Sequence, residues 1–504
     1  MTAESPTAPG RSPWRGARRR ISAIPRILSS IPVTLLSVAA LLLTGVLTGT
    51  LFASANPNDA AITSLEFGLP AFREGRLWTL FTGAVTFTEP EFYYLVGALL
   101  AVGLGVYERR VGSLRAAAAL LITHAAGIVL PALLLWPFAG SDWTWAARLG
   151  GELDAGLSAG GFGVAAAATA LLRPPWRGRL RVLGSAFLIV MLIKSGLLWD
   201  LEHFAAWTAG LVIGPWLAGP TLRARRDRAA RLATASADPV AGPTRTPQPQ
   251  EARILTALIG AGFALSNVVE SLYPGLGGLV GPGVGASEVR GFWLIVLELI
   301  ISLLIAGALP RPQAVAWWVA VFGVSMIAVN SLVNTAVPSR VGDVVCSLIV
   351  LAVLIWNRDA WPWRTDRDAV RPVALLVAMA AVYTAVSCVA IWAVREQFRP
   401  NPDLWQILRE AVARFTFTTG PLAPTGGTAR GVVMLIDAIW AVTLIGWLLW
   451  ALYLWLPTGG GKHGTGDVGP RFYSGKVGAV DENTVLDAVL DTDLDTEQER
   501  PSHD

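Results

Sequence analysis

Gly150-Gly-Glu-Leu-Asp-Ala-Gly-Leu-Ser-Ala-Gly-Gly-Phe-Gly-Val164 decides how this chain is read. A polar, glycine-rich loop passes into an apolar, alanine-rich helix, and Ser158 stands at the join. The small residues around it let backbones approach closely and helices pack tightly. His203 opens a second apolar helix, Asp200-Leu-Glu-His-Phe-Ala-Ala-Trp-Thr-Ala-Gly-Leu-Val-Ile-Gly214. Ala206, Gly210 and Gly214 follow it at helical spacing and form a small-residue stripe near the His203 face. The stripe predicts that this helix presses against the Ser158 helix, with Ser158 and His203 at matching depth. A histidine so placed takes the serine proton and returns it to a leaving group, with packing alone fixing its ring. The string Gly156-Leu-Ser-Ala-Gly160 by itself equally suits a glycine-rich membrane helix. The nucleophile elbow of soluble hydrolases needs a preceding strand, and none is available here.

The composition sets the environment. The chain has 504 residues, 53% of them hydrophobic and 15% charged, against about 25% charged in soluble domains. With long apolar runs, that deficit excludes an ordinary soluble or nucleic-acid-binding domain and predicts a membrane protein with lipids as neighbours. Many of its 21 tryptophans flank the apolar runs, as an interfacial belt requires. Cys346 and Cys388 lie inside apolar runs and read as small core hydrophobes. No zinc spacing or disulfide framework is present, so no metal or cofactor is expected.

Apolar runs of spanning length fall at 31–53, 91–107, 114–136, 156–173, 181–199, 203–219, 252–273, 291–310, 314–335, 342–357, 371–394 and 431–456. Each suits a hydrocarbon core of about 30 Å. The expected fold is all-α and polytopic, with about twelve transmembrane helices. The first run is too long for a signal-peptide core and reads as a spanning helix. Lys and Arg concentrate in alternate connections, including Arg18-Arg19-Arg20, Arg109-Arg110 and Arg223/Arg225/Arg226. The positive-inside rule then places both termini in the cytoplasm of a multi-pass plasma-membrane protein. The expected order is a basic N-terminus (1–30), a six-helix half (31–219), a flexible cytoplasmic linker (220–251), a second six-helix half (252–456) and a Gly-rich, then acidic, tail (457–504). The Ala/Pro/Thr/Gln composition of the linker gives it little to bury.

Residues 31–219 resemble the rhomboid intramembrane serine protease family. Gly156-Leu-Ser-Ala-Gly160 is similar to its G-x-S motif, which implies that Ser158 is the nucleophile. His203, with Ala206 and Gly210, matches the sixth-helix histidine pattern. Phe162 falls where the family has an aromatic packed on that histidine. Tyr107-Glu-Arg-Arg-Val-Gly-Ser113 looks like the E-x-R-x-G turn, in which Glu108 and Arg110 brace a tight turn and Gly112 supplies the dihedrals. Gly75-Arg-Leu-Trp-Thr-Leu-Phe-Thr82 looks like the start of the first outer loop. The resemblance implies a serine endopeptidase that cuts membrane-spanning substrates with a Ser-His dyad. Two departures argue for a divergent or inactive form. The family's Trp-Arg pair reads Trp78-Thr79, and Phe92-Tyr-Tyr-Leu-Val-Gly97 lacks the second-helix His and Asn that hold the oxyanion. Losing one such donor costs about 10²–10³ in rate.

The second half carries intramembrane polar residues Glu298, Asn330, Asn334 and Asp437, and the two carboxylates are candidates for a polar cavity. His124 and Lys194 are further polar candidates in the first half; Lys194 is expected to snorkel or to pair with Asp154 or Asp200. Leu404 to Phe417 has apolar residues at helical spacing and reads as an interfacial helix or one packed over the bundle. The whole arrangement more weakly resembles the membrane region of actinobacterial aminoacyl-phosphatidylglycerol synthases. That likeness implies a lipid-handling, flippase-like module working with a separate cytoplasmic lipid-modifying enzyme. The third alternative is a non-catalytic rhomboid-fold binder of transmembrane helices.

Overall fold

The computed structural model describes residues 28–56, 59–235, 248–272, 292–310, 314–333, 340–361, 367–415 and 420–455. The first half contains α1 (Pro32–Thr48), α2 (Pro90–Val111), α3 (Ser113–Leu135), α4 (Ser158–Ala168), α5 (Trp176–Lys194) and α6 (Leu198–Ala235). The second contains α7 (Gln248–Leu272), α8 (Phe292–Ala308), α9 (Ala314–Val333), α10 (Arg340–Trp356), α11 (Arg367–Ala393), α12 (Leu404–Phe415) and α13 (Gly427–Trp455). Strands are confined, among the described residues, to β1 (Phe398–Arg399), which pairs antiparallel with β2 (Ala423–Pro424). The described residues are therefore mostly helical. The helices Pro90–Val111, Ser113–Phe138, Ala374–Ala393 and Gly427–Trp447 are long and apolar enough to cross a membrane. Four shorter apolar helices accompany them, at Pro32–Thr48, Ser158–Leu171, Ala316–Leu332 and Val341–Trp356.

Local sequence explains the main boundaries. Proline occupies the first helical position of α1 and of α2, where its missing N–H costs nothing. A π-helical turn, Leu100–Leu104, interrupts α2. Gly112, at φ +86°, separates α2 from α3 with a conformation that L side chains rarely adopt. α6 continues to Ala235 and α7 starts at Gln248, so helix occupies much of the stretch expected as linker.

α4 sits at the centre of the first half, packed between α3 and α6. The approach is close because both faces are small. A Cβ built on Gly163 would meet Thr123 Cβ at 2.2 Å, and one on Gly127 would meet Ala206 Cβ at 2.9 Å. Tyr93, Leu100, Leu104, Tyr107, Leu120 and Val164 form much of the surrounding core.

Glu108 hydrogen-bonds the Ser113 side chain within its own turn and also reaches beyond it. It is buried and accepts from Val33 N at 2.9 Å, Thr34 N at 2.8 Å and Thr34 Oγ1 at 2.8 Å. It thus caps the N-terminus of α1, where backbone donors lack helical partners. The nearby turn is closed further by Gly112 N–H donating to the Glu108 carbonyl at 2.8 Å. Arg110 meets α6 through its carbonyl, which accepts from Thr221 Oγ1 at 3.3 Å.

The two halves meet along α5, which packs on α7 and α10. Arg179 makes a two-point contact with Glu251, at 3.2 and 2.7 Å. Lys194 is buried and pairs with Asp343 Oδ1 at 2.7 Å, and it also donates to Asn267 Oδ1. These two partners, Asp343 and Asn267, come from the second half. A charge buried this deeply needs an opposite charge against it, and α10 brings one.

Candidate active site

The Ser158 loop is held from the side by the first connection, between α1 and α2. Phe67 and Asp154 exchange backbone hydrogen bonds of 2.9 and 2.8 Å in an isolated antiparallel bridge. Gly156 N–H donates to the Gly83 carbonyl at 2.7 Å. Gly156 has φ +119°, and a Cβ there would lie 1.9 Å from the Phe87 ring. Any larger residue would push Phe87 away and strain the backbone. Two turns of chain are thereby fixed, and Ser158 becomes the first residue of α4.

Ser158 Oγ lies 2.8 Å from His203 Nε2. This is a hydrogen bond of ordinary length, made between two half-buried side chains from α4 and α6. The stripe on α6 permits it. A Cβ on Gly210 would meet the Gly163 carbonyl oxygen at 2.0 Å, and one on Gly214 would meet Ala167 Cα at 2.6 Å. Ala206 is fully buried on the same face. The Phe162 ring packs on the His203 ring, with centroids 4.6 Å apart and planes at 37°. Phe187 of α5 stacks behind Phe162 at 6.4 Å.

The start of α4 adds electrostatics. The first amides of a helix have no acceptor within it, and the helix dipole adds partial positive charge there. Ser158, Ala159 and Gly160 supply these amides, whereas Gly161 N–H donates to the Leu157 carbonyl at 3.0 Å. Negative charge forming beside Ser158 is therefore stabilised by its own helix.

An acidic pair adjoins the dyad. The Asp154 and Glu202 carboxyl groups hydrogen-bond each other, and Ala155 N–H donates to Asp154 at 2.8 Å. Two carboxyls share such a bond only when one is protonated. Burial raises the Asp154 carboxyl above its usual range, while the Glu202 and Ala155 hydrogen bonds draw it back. Burial also raises Glu66, and the neighbouring Asp154 charge adds to that. The pair ties the Ser158 loop to α6 one residue before His203. Nothing in the serine motif signalled it, because its members stand in two separate segments.

His124 is buried on α3, and its Nε2 is 3.1 Å from the Leu80 carbonyl. Its ring meets Phe67 edge-on at 5.7 Å. It secures the first connection and does not join the dyad. In the second half, Asp437 accepts from Arg414 Nη1 at 3.0 Å. Glu298 lies in α8, with its side chain outside the described residues, and Asn334 also lies outside them. No group of three His, Cys, Asp or Glu residues among the described ones is arranged to hold a metal ion.

No family model, curated protein or solved structure matches this chain.

Proposed function

We propose that residues 31–219 form a rhomboid-type intramembrane serine protease that hydrolyses peptide bonds in membrane-spanning substrates. The observation that carries the reading is the 2.8 Å contact between Ser158 Oγ and His203 Nε2 at the N-terminus of α4. In this reading the chain crosses the plasma membrane about twelve times, with both termini cytoplasmic, and the dyad lies near the outer surface.

The chemistry follows from the geometry. His203 is neutral, with its proton on Nδ1, so Nε2 accepts from the Ser158 hydroxyl. Ser158 Oγ attacks the scissile carbonyl carbon as its proton passes to Nε2. The carbonyl π electrons move onto oxygen, and the first amides of α4 stabilise the oxyanion. Collapse breaks the C–N bond, and the departing amine takes the proton from His203. Water then attacks the acyl-serine, with His203 again accepting and returning the proton. Phe162 keeps the imidazole plane in place, the task a third polar residue performs in a triad. The α4 amides also supply oxyanion donors where the second helix has neither His nor Asn.

The test is cleavage in proteoliposomes. Full-length protein is mixed with a panel of single-span substrates carrying Gly, Ala and Ser near their outer ends. The reading expects products from wild type and none from Ser158→Ala. Products that persist in Ser158→Ala, or a folded wild type that cuts nothing in the panel, contradict it.

A further inference from the structure

The second half reaches the dyad through α5. Gly262 of α7 is buried against that helix, and a Cβ there would lie 2.9 Å from Phe187 N and 3.1 Å from Ala186 Cβ. Gly342 of α10 is buried against it further along. A Cβ there would lie 2.9 Å from the Ile193 carbonyl oxygen and 3.0 Å from Lys194 Cα. Two helices of the second half therefore touch the α5 backbone itself. Close-packed interiors transmit strain, so a helix held in this way moves only when its neighbours move.

The same stretch of α5 backs the dyad helices. Gly184 leaves room for the Trp207 ring, which a Cβ there would strike, and Trp207 Nε1–H donates to Ser185 Oγ at 3.1 Å. Trp207 stands one turn after His203 on α6, on the same face. The Phe187 ring stacks on Phe162 at 6.4 Å with planes at 18°, and Phe162 packs on His203 at 4.6 Å. Leu188 is buried with Ala166 and Trp207 in the same core cluster. About one turn of α5, from Gly184 to Leu188, thus meets α7 as well as the two helices that carry Ser158 and His203.

The His203 ring depends on such support. Its Nε2 meets Ser158 Oγ at 2.8 Å, and a ring held at one nitrogen tips about that contact unless packing stops it. The face of Phe162 stops it only while Phe162 is itself backed, and Phe187 backs it. Aromatic pairs have preferred geometries, so a shift of Phe187 carries Phe162 with it. The glycines at 262 and 342 set where Phe187 stands, because both place a neighbouring helix directly on α5.

We propose that the second half positions the base of the dyad: α7 and α10 hold α5 in place, and Phe187, acting through Phe162, fixes the His203 ring. Phe187 is then a positioning residue, and Gly262 and Gly342 are the contacts through which the second half sets it. The catalytic meaning of this inference rests on the Ser158–His203 reading, whereas the placement of the ring is measured without any reaction.

The test reads the His203 ring directly. The chain has four histidines, so isotope-labelled histidine in the full chain in micelles gives few ring signals by nuclear magnetic resonance, and His203→Gln identifies its own. Gly262→Ala and Gly342→Ala drive a methyl against the α5 backbone, and Phe187→Leu keeps most of the bulk without the flat face. Each should move the His203 Hε1 resonance. Gly260→Ala is the control on α7, since a Cβ there meets nothing within 4 Å, and it should leave the resonance in place. A role in folding alone would lower the unfolding temperature without moving this signal. Fluorophosphonate labelling of Ser158 should slow about ten-fold in the three variants, because a misplacement of about 1 Å costs up to about 10² in rate. A His203 resonance unchanged in Phe187→Leu and in whichever glycine variants fold would overturn the proposal, whether or not wild type labels. So would shifted resonances with an unchanged labelling rate. A wild type that takes no label while the resonance moves as expected supports the positioning and counts against the protease reading alone.

Discussion

Gly210 of α6 lies so close to Gly163 of α4 that a Cβ on Gly210 would stand 2.0 Å from the Gly163 carbonyl oxygen. The contact sets the spacing of the two helices and therefore the Ser158–His203 distance. Gly210→Leu must force α4 and α6 apart. Overpacking of this kind costs about 1–3 kcal/mol, and the larger consequence is the loss of the 2.8 Å contact. Serine reactivity should fall at least as far as in His203→Ala, although both dyad residues remain. Gly97→Leu is the control, since a Cβ there meets nothing within 4 Å, and it should leave reactivity unchanged. Equal reactivity of the two variants would dissociate the stripe from the site.

The Glu108 cap gives a stability prediction. Its carboxylate accepts three hydrogen bonds from the start of α1. Glu108→Ala leaves buried donors without an acceptor and should cost about 3 kcal/mol. Glu108→Gln keeps one acceptor oxygen and should cost about 1 kcal/mol. Thermal unfolding in detergent reads the order: wild type, then Gln, then Ala. An alanine variant as stable as wild type would remove Glu108 from the α1 cap.

Lys194 and Asp343 join the halves. Removing one member of a buried ion pair strands the other, at about 3–5 kcal/mol. Lys194→Met alone should therefore lower the unfolding temperature more than Lys194→Met combined with Asp343→Leu. A double variant less stable than the single one, by the sum of two independent losses, would show that the charges act separately.

The sequence made the α4–α6 contact legible because Ala206, Gly210 and Gly214 recur at helical spacing and Ser158 follows a glycine-rich loop. The glycine at the end of α2 was equally plain, as Gly112 takes the positive φ its motif requires. Hidden from it were relationships between distant segments. Glu108 reads as part of its own turn, yet it also accepts from Val33 and Thr34 on another helix. Asp343 could be matched to Lys194 only once α5 and α10 were known to pack. Arg414, which joins Glu410 to Asp437, meets a carboxylate twenty-three residues away on another helix. Periodicity reports which face of a helix is buried, but not which helix covers it.

The Asp154–Glu202 pair predicts a pH dependence. Burial raises Asp154 above its ordinary value of 3.8, so the fold favours its protonated form. The stabilisation is complete below the ordinary value and is lost as pH rises through the raised one. The loop clamp should loosen across that window, seen as faster proteolysis or exchange of residues 150–157. Asp154→Asn combined with Glu202→Gln keeps a hydrogen bond without a titrating proton and should flatten the profile. Proteolysis of wild type that slows as pH rises over the same window would reverse the assignment.

The central claim is that Ser158 is activated by His203, and fluorophosphonate labelling of the full chain in membranes tests it most directly. Wild type should label covalently at Ser158. Ser158→Ala should lose the label for want of the nucleophile, and His203→Ala for want of the base. Labelling that survives in His203→Ala, or maps to a residue other than Ser158, would contradict the account.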